Sequence, residues 1–147
     1  MKKRLSILAI GAVALAQGPM DADAGQRRHS FCKPAAAVGS WAFATDVGHE
    51  TIAFGGDITA IGIFDVLVDG SVAGVFDVTF QNQASIPSVP FGGNLTLDSD
   101  CRGTLTFTTG TGSTRTDSII LINPYEMWGM SRDPANLWTY RVRRLPN

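Results

Sequence analysis

The stretch 58–83, ITAIGIFDVLVDGSVAGVFDVTFQNQ, decides the fold. It divides into two runs, 58–68 and 72–83, rich in β-branched and aromatic residues and joined through Asp69-Gly70-Ser71. An Asp-Gly pair between strand-like runs marks a hairpin, because glycine accepts a positive φ with no Cβ clash. In the second run Phe76, Val78 and Phe80 share one face by strand parity, opposite Asp77, Thr79 and Gln81. That alternation is the pattern of a half-buried antiparallel strand.

Working outward, 39–45 reads as a strand with Trp41 and Phe43 on one face, and 91–97 and 103–109 read as a second hairpin around 98–102. Residues 114–122 form a further strand, ended by Asn123-Pro124, and 125–130 and 136–144 make a last pair. Pro87 and Pro90 deny ladder hydrogen bonds, so 85–90 reads as a loop. About eight strands with short hairpin connections describe an all-β, antiparallel, up-and-down meander. Closure into a single barrel removes its two exposed edges. A sandwich is the competing architecture, but it needs a long crossover for which the sequence has no candidate. Gly62, Gly74, Gly92 and Gly93 fit bends in a tightly coiled wall.

Lys2, Lys3 and Arg4 precede an apolar run, 5–16, too short to span a bilayer and typical of a secretory signal peptide. The expected organisation is a signal peptide over 1–24, an N-terminal arm over 25–38 and a β-barrel domain over 39–147, with a secreted or periplasmic location. An uncleaved N-terminal anchor is the competing reading. Without Lys2, Lys3, Arg4, Asp21 and Asp23, 9 basic residues stand against 11 acidic ones. That balance argues against a nucleic-acid partner. Cys32 and Cys101 are the only cysteines, and in an oxidising compartment a disulfide between them is the natural reading. A metal-binding or reactive thiol is the alternative, but His29 and His49 are too scattered to complete a zinc set.

Gly39-Ser40-Trp41-Ala42-Phe43, the Asp69-Gly70 hairpin, Asp100-Cys101-Arg102-Gly103-Thr104-Leu105-Thr106-Phe107 and Tyr125-Glu126-Met127 resemble a group of exported bacterial proteins of mostly unassigned function. Their fold is similar to the calycin or allene oxide cyclase type of barrel. The resemblance implies two kinds of activity, the carriage of apolar molecules and cofactor-free cyclisation or isomerisation.

No nucleophile elbow, metal cluster or phosphate loop occurs, so no metal and no cofactor are expected. Glu126 shares strand parity with Trp128 and Met130; if that face is inward, an aromatic ring beside the carboxyl would favour its protonated form and suit it to acid/base work. Tyr125 lies opposite in parity, so Tyr140 is the better hydroxyl partner, with His49 as a proton relay at a barrel mouth. Asp65 and Asp77 are candidates for a carboxylate pair, although Asp77 falls on the polar face. Trp41, Phe43, Trp128, Trp138 and Tyr140 form a candidate aromatic lining for a ligand.

The leading expectation is a secreted barrel binding a small apolar or aromatic molecule in its interior. A cofactor-free isomerase, cyclase or lyase using Glu126 is the first alternative, and an envelope-associated interaction protein with a packed core is the second. Residues 61–64 and 119–122 are apolar on both faces, which points to a homo-oligomer or to cover by the N-terminal segment.

Overall fold

The computed structural model describes residues 31–50, 56–134 and 136–146. The expected signal peptide, the first part of the expected arm and His29 lie outside the described residues. One helical turn, α1 (Pro34–Ala37), precedes eight strands: β1 (Gly39–Glu50), β2 (Gly56–Val66), β3 (Ser71–Phe80), β4 (Ile86–Leu97), β5 (Arg102–Thr109), β6 (Thr114–Asn123), β7 (Glu126–Ser131) and β8 (Asn136–Arg144). Each strand pairs antiparallel with the next, and β8 returns to β1. The result is a closed up-and-down barrel, in which no strand presents an open edge.

The deciding hairpin forms as its sequence requires. Gly70 takes φ 84°, and the turn is closed by Leu67 N–H donating to Ser71 O at 2.9 Å. Asp69 accepts from both the backbone N–H and the hydroxyl of Ser71. The prolines of 85–90 do not make a loop, contrary to the sequence expectation: Pro87 and Pro90 lie inside β4. The strand accommodates them through a register shift opposite Asp77, with Ser88 at φ 54° donating its N–H to the Asp77 carboxylate. A bulge of this kind removes the demand for regular ladder donors.

Interior and exterior residues alternate along the strands, with the phase broken at the β1 bulge between Thr45 and Val47, and the centre of the barrel is aromatic. Phe43, Phe64, Phe76, Phe91 and Phe107 pack with ring centroids 5.5–6.3 Å apart, in tilted and edge-on pairs. Interior glycines make room for them, as Phe43 and Phe76 both pair in register with Gly62, Phe64 and Phe91 with Gly74, and Phe107 with Gly93. A Cβ at Gly62 would meet the Phe43 ring and Phe76 Cβ. Gly62 and Gly74 thus leave space for rings, a Cβ at Gly93 would run into the backbone of Thr106 and Phe107, and at Gly92 an added Cβ would have ordinary contact distance.

One end of the barrel is sealed. Trp41 is fully buried there and donates from Nε1 to Ala37 O at 2.8 Å, capping the barrel with α1. Arg144 lies 4.5 Å from the Trp41 ring centroid and donates to Pro124 O and Val38 O, each at 2.8 Å, and to Ala36 O. Cys32 and Cys101 are disulfide-bonded, which ties the segment before α1 to the β4–β5 turn. The other end, ringed by the β3–β4, β5–β6 and β7–β8 connections, carries the site described next.

Candidate functional site

That end, open among the described residues, holds a cavity of about 180 Å³. Its apolar wall includes Phe76, Val78, Val89, Phe107 and Trp138, and its lip carries Thr109, Thr111, Ser113 and Arg115. Below it the phenylalanine layer leaves only about 20 Å³, bordered by Asp117, Trp138 and Tyr140. The space is thus a pocket over a packed floor, with Trp138 shared between the two levels.

Arg115 and Asp117 project inward from β6, and Trp138 and Tyr140 from β8, two strands away. Between them β7 presents Gly129, the register partner of Tyr140. The Tyr140 ring occupies the space a side chain would take there, since an added Cβ would overlap its Cζ and Cε2. From that position the Tyr140 hydroxyl donates to Asp117 Oδ2 at 2.9 Å. Asp117 is wholly buried. Burial pushes its carboxyl up from the ordinary value, while the Tyr140 hydroxyl, the nearby Trp138 indole N–H and the charge of Arg115 pull the other way without cancelling the rise. Burial also holds the Tyr140 phenol well above its usual range, reinforced by the charge of Asp117 and the hydrogen bond to it.

Three buried polar atoms in this cluster have no hydrogen-bond partner among the described residues: Arg115 Nη1, Asp117 Oδ1 and Trp138 Nε1. The Trp138 N–H is near enough to favour an ionised Asp117, yet it does not meet hydrogen-bond geometry. Arg115 stacks 5.0 Å from the Trp138 ring centroid, and its Nη2 makes only a long 3.5 Å bond to Asn136 Oδ1. Native interiors leave few such groups unsatisfied, and here three lie together, one acceptor and two donors, with Arg115 and Trp138 both lining the cavity.

The residues singled out in the sequence are dispersed. Trp138 and Tyr140 face the interior together, and Phe43 joins the phenylalanine floor. Trp41 belongs to the sealed end. Glu126, Trp128 and Met130 do not face inward: Trp128 is 45% and Met130 55% exposed, while Met127 and Gly129 take the interior positions. Trp128 Nε1 donates to Glu126 Oε1 at 2.9 Å on the outer wall, and Arg141 stacks on that indole while pairing with Asp46. Glu126 and Tyr140 are thus on opposite sides of the wall. His49 lies within β1 rather than in a loop, exposed near the open rim, with Nδ1 3.4 Å from Asp57 Oδ1. Asp65 and Asp77 form no pair, since Asp65 accepts from Ser40 and Asp77 from Ser88. Asp117 and Arg115 went unread, although both share parity with Ile119 and Leu121, an interior face carrying two opposite charges.

No protein-family model matches this chain, and no curated protein matches it. Similar solved structures include designed and redesigned β-barrels. A redesigned β-barrel, mFAP1, bound to DFHBI, is 14% identical, with a TM-score of 0.55 over 77% of this chain and 99% of that one. The structure of EF1p2_mFAP2b bound to DFHBI is 12% identical, with a TM-score of 0.55 over 79% and 100%. A de novo designed fluorescence-activating β-barrel is 11% identical, with a TM-score of 0.52 over 74% and 93%. At these identities the likeness is one of fold, the eight-stranded antiparallel barrel.

Proposed function

We propose that this barrel binds a small, largely apolar or aromatic molecule at its open end, with the ligand's body against Phe76, Phe107 and Trp138. The observation that carries the reading is the convergence of the 180 Å³ cavity with buried polar atoms that lack partners. An apolar pocket with a few convergent polar groups is the usual form of a small-molecule site. Size sets the class of ligand, because a cavity of about 150 Å³ accommodates benzene. A single ring with small substituents fits such a space. Complexes of similar barrels with DFHBI support reading this architecture as a container.

The same reading places the protein outside the cytoplasm after loss of residues 1–24; the Cys32–Cys101 disulfide and the basic, apolar N-terminus support it. Native mass spectrometry of the protein purified from its source tests the function. A co-purified small molecule, absent from a Val78→Trp variant that fills the cavity, is the expected result. Bare protein mass in every charge state contradicts it. The observed mass also reports whether the mature chain begins at Gly25.

A further inference from the structure

We propose that the open-end site selects single-ring aromatic compounds bearing an anionic oxygen group, a carboxylate or phenolate, bound jointly by Arg115 Nη1 and Trp138 Nε1. The proposal rests on the interior-ligand reading and adds the chemistry of the ligand's polar end. Two of the three unpartnered atoms are donors, and both residues that carry them line the cavity, Trp138 being only 7% exposed. An indole N–H can only donate, and a guanidinium can only donate, so both require an acceptor. The hydroxyls of Thr109 and Thr111 are already bonded to each other at 2.7 Å and make no such demand.

Charge decides between a neutral and an anionic acceptor. The Arg115 guanidinium keeps its charge at any ordinary pH, and it forms no ion pair among the described residues. Asp117 is the acid beside it on the interior face of β6, but its Oδ2 is taken by Tyr140 and its Oδ1 does not reach the guanidinium. Burial favours the protonated form of that carboxyl, which weakens it further as a counter-ion. A ligand carboxylate supplies both the missing charge and two oxygens, and the planar guanidinium suits that geometry. The Arg115–Trp138 stack keeps the guanidinium and the indole together at the cavity wall.

Isothermal titration calorimetry of the mature, disulfide-bonded chain at pH 7 with benzoate, benzamide, benzamidine and toluene tests the proposal. Benzoate is expected to bind at least about tenfold more tightly than benzamide, its neutral isostere. Arg115→Gln should bring that ratio to about one while toluene affinity stays within about twofold, showing an intact pocket. Trp138→Phe, which keeps a ring and removes the N–H, should weaken benzoate more than toluene. Benzamide or benzamidine binding as tightly as benzoate overturns the anion selection and leaves the ring site standing. Failure of all four to bind overturns the interior-ligand reading, and this proposal with it.

Discussion

Tyr140 reaches Asp117 from two strands away, crossing β7 where Gly129 leaves the inner wall bare. The hydrogen bond therefore depends on a residue that takes no part in it. Gly129→Ala puts a methyl group into the space of the Tyr140 ring and displaces the hydroxyl. A loss of about 1–3 kcal/mol in stability is expected from the overpacking, read as a lower urea midpoint with unchanged slope. Wild-type stability in this variant would show that the ring has somewhere else to go.

Asp117 gives stability a definite pH dependence. Its folded value is raised above the ordinary 3.8, so the folded protein holds a proton that the unfolded chain releases first. The stabilisation from this group is complete below the unfolded value and is lost as pH rises through the folded one. Asp69, held below its ordinary value by Ser71, acts in the opposite sense, but it is common to wild type and Asp117→Asn. The melting temperature of Asp117→Asn minus that of wild type should accordingly increase from pH 3.5 to pH 7. A flat or falling difference contradicts the raised carboxyl.

The strands were legible in the sequence because alternation and hairpin chemistry are local. Asp69-Gly70-Ser71 sets its own turn whatever the rest of the chain does. The site was less legible because it depends on which face closes inward. Glu126-Met127-Trp128 offers a short strand with apolar residues on both faces, and parity alone does not say which is inside. The choice is made by neighbours: Met127 lies opposite Val142 and Leu121, both buried, whereas Trp128 lies opposite Arg141. Pro87 and Pro90 misled for a related reason, as the bulge that admits them needs Asp77 on another strand.

The sealed end rests on Arg144 as much as on Trp41. Arg144→Met keeps a long apolar side chain but removes three donated hydrogen bonds and the contact with the Trp41 ring. A destabilisation of about 2–4 kcal/mol is expected in denaturant melts. Ligand binding at the opposite end should survive at temperatures where the variant remains folded. Unchanged stability would mean that α1 is held by the Trp41–Ala37 hydrogen bond and the disulfide tether without help from Arg144.

Ile61, Ile63 and Val75 are exposed neighbours on the outer wall of β2 and β3, and Ile120, Trp128 and Met130 form a second apolar area on β6 and β7. Such areas on a barrel surface favour self-association. Light scattering at micromolar concentration should give at least twice the monomer mass, and Ile61→Lys with Ile63→Lys should reduce it. A monomer mass for the unaltered protein contradicts this.

The three tryptophans occupy three separate environments: Trp41 in the sealed end, Trp128 on the outer wall and Trp138 between the cavity and its floor. Their indole N–H signals therefore report where a ligand sits. In a two-dimensional nitrogen–proton NMR titration of the folded chain with phenol, the Trp138 indole signal should shift saturably. Those of Trp41 and Trp128 should stay in place. A saturable shift at Trp128 or Trp41 with none at Trp138, or no saturable shift at all, would contradict an interior ligand site.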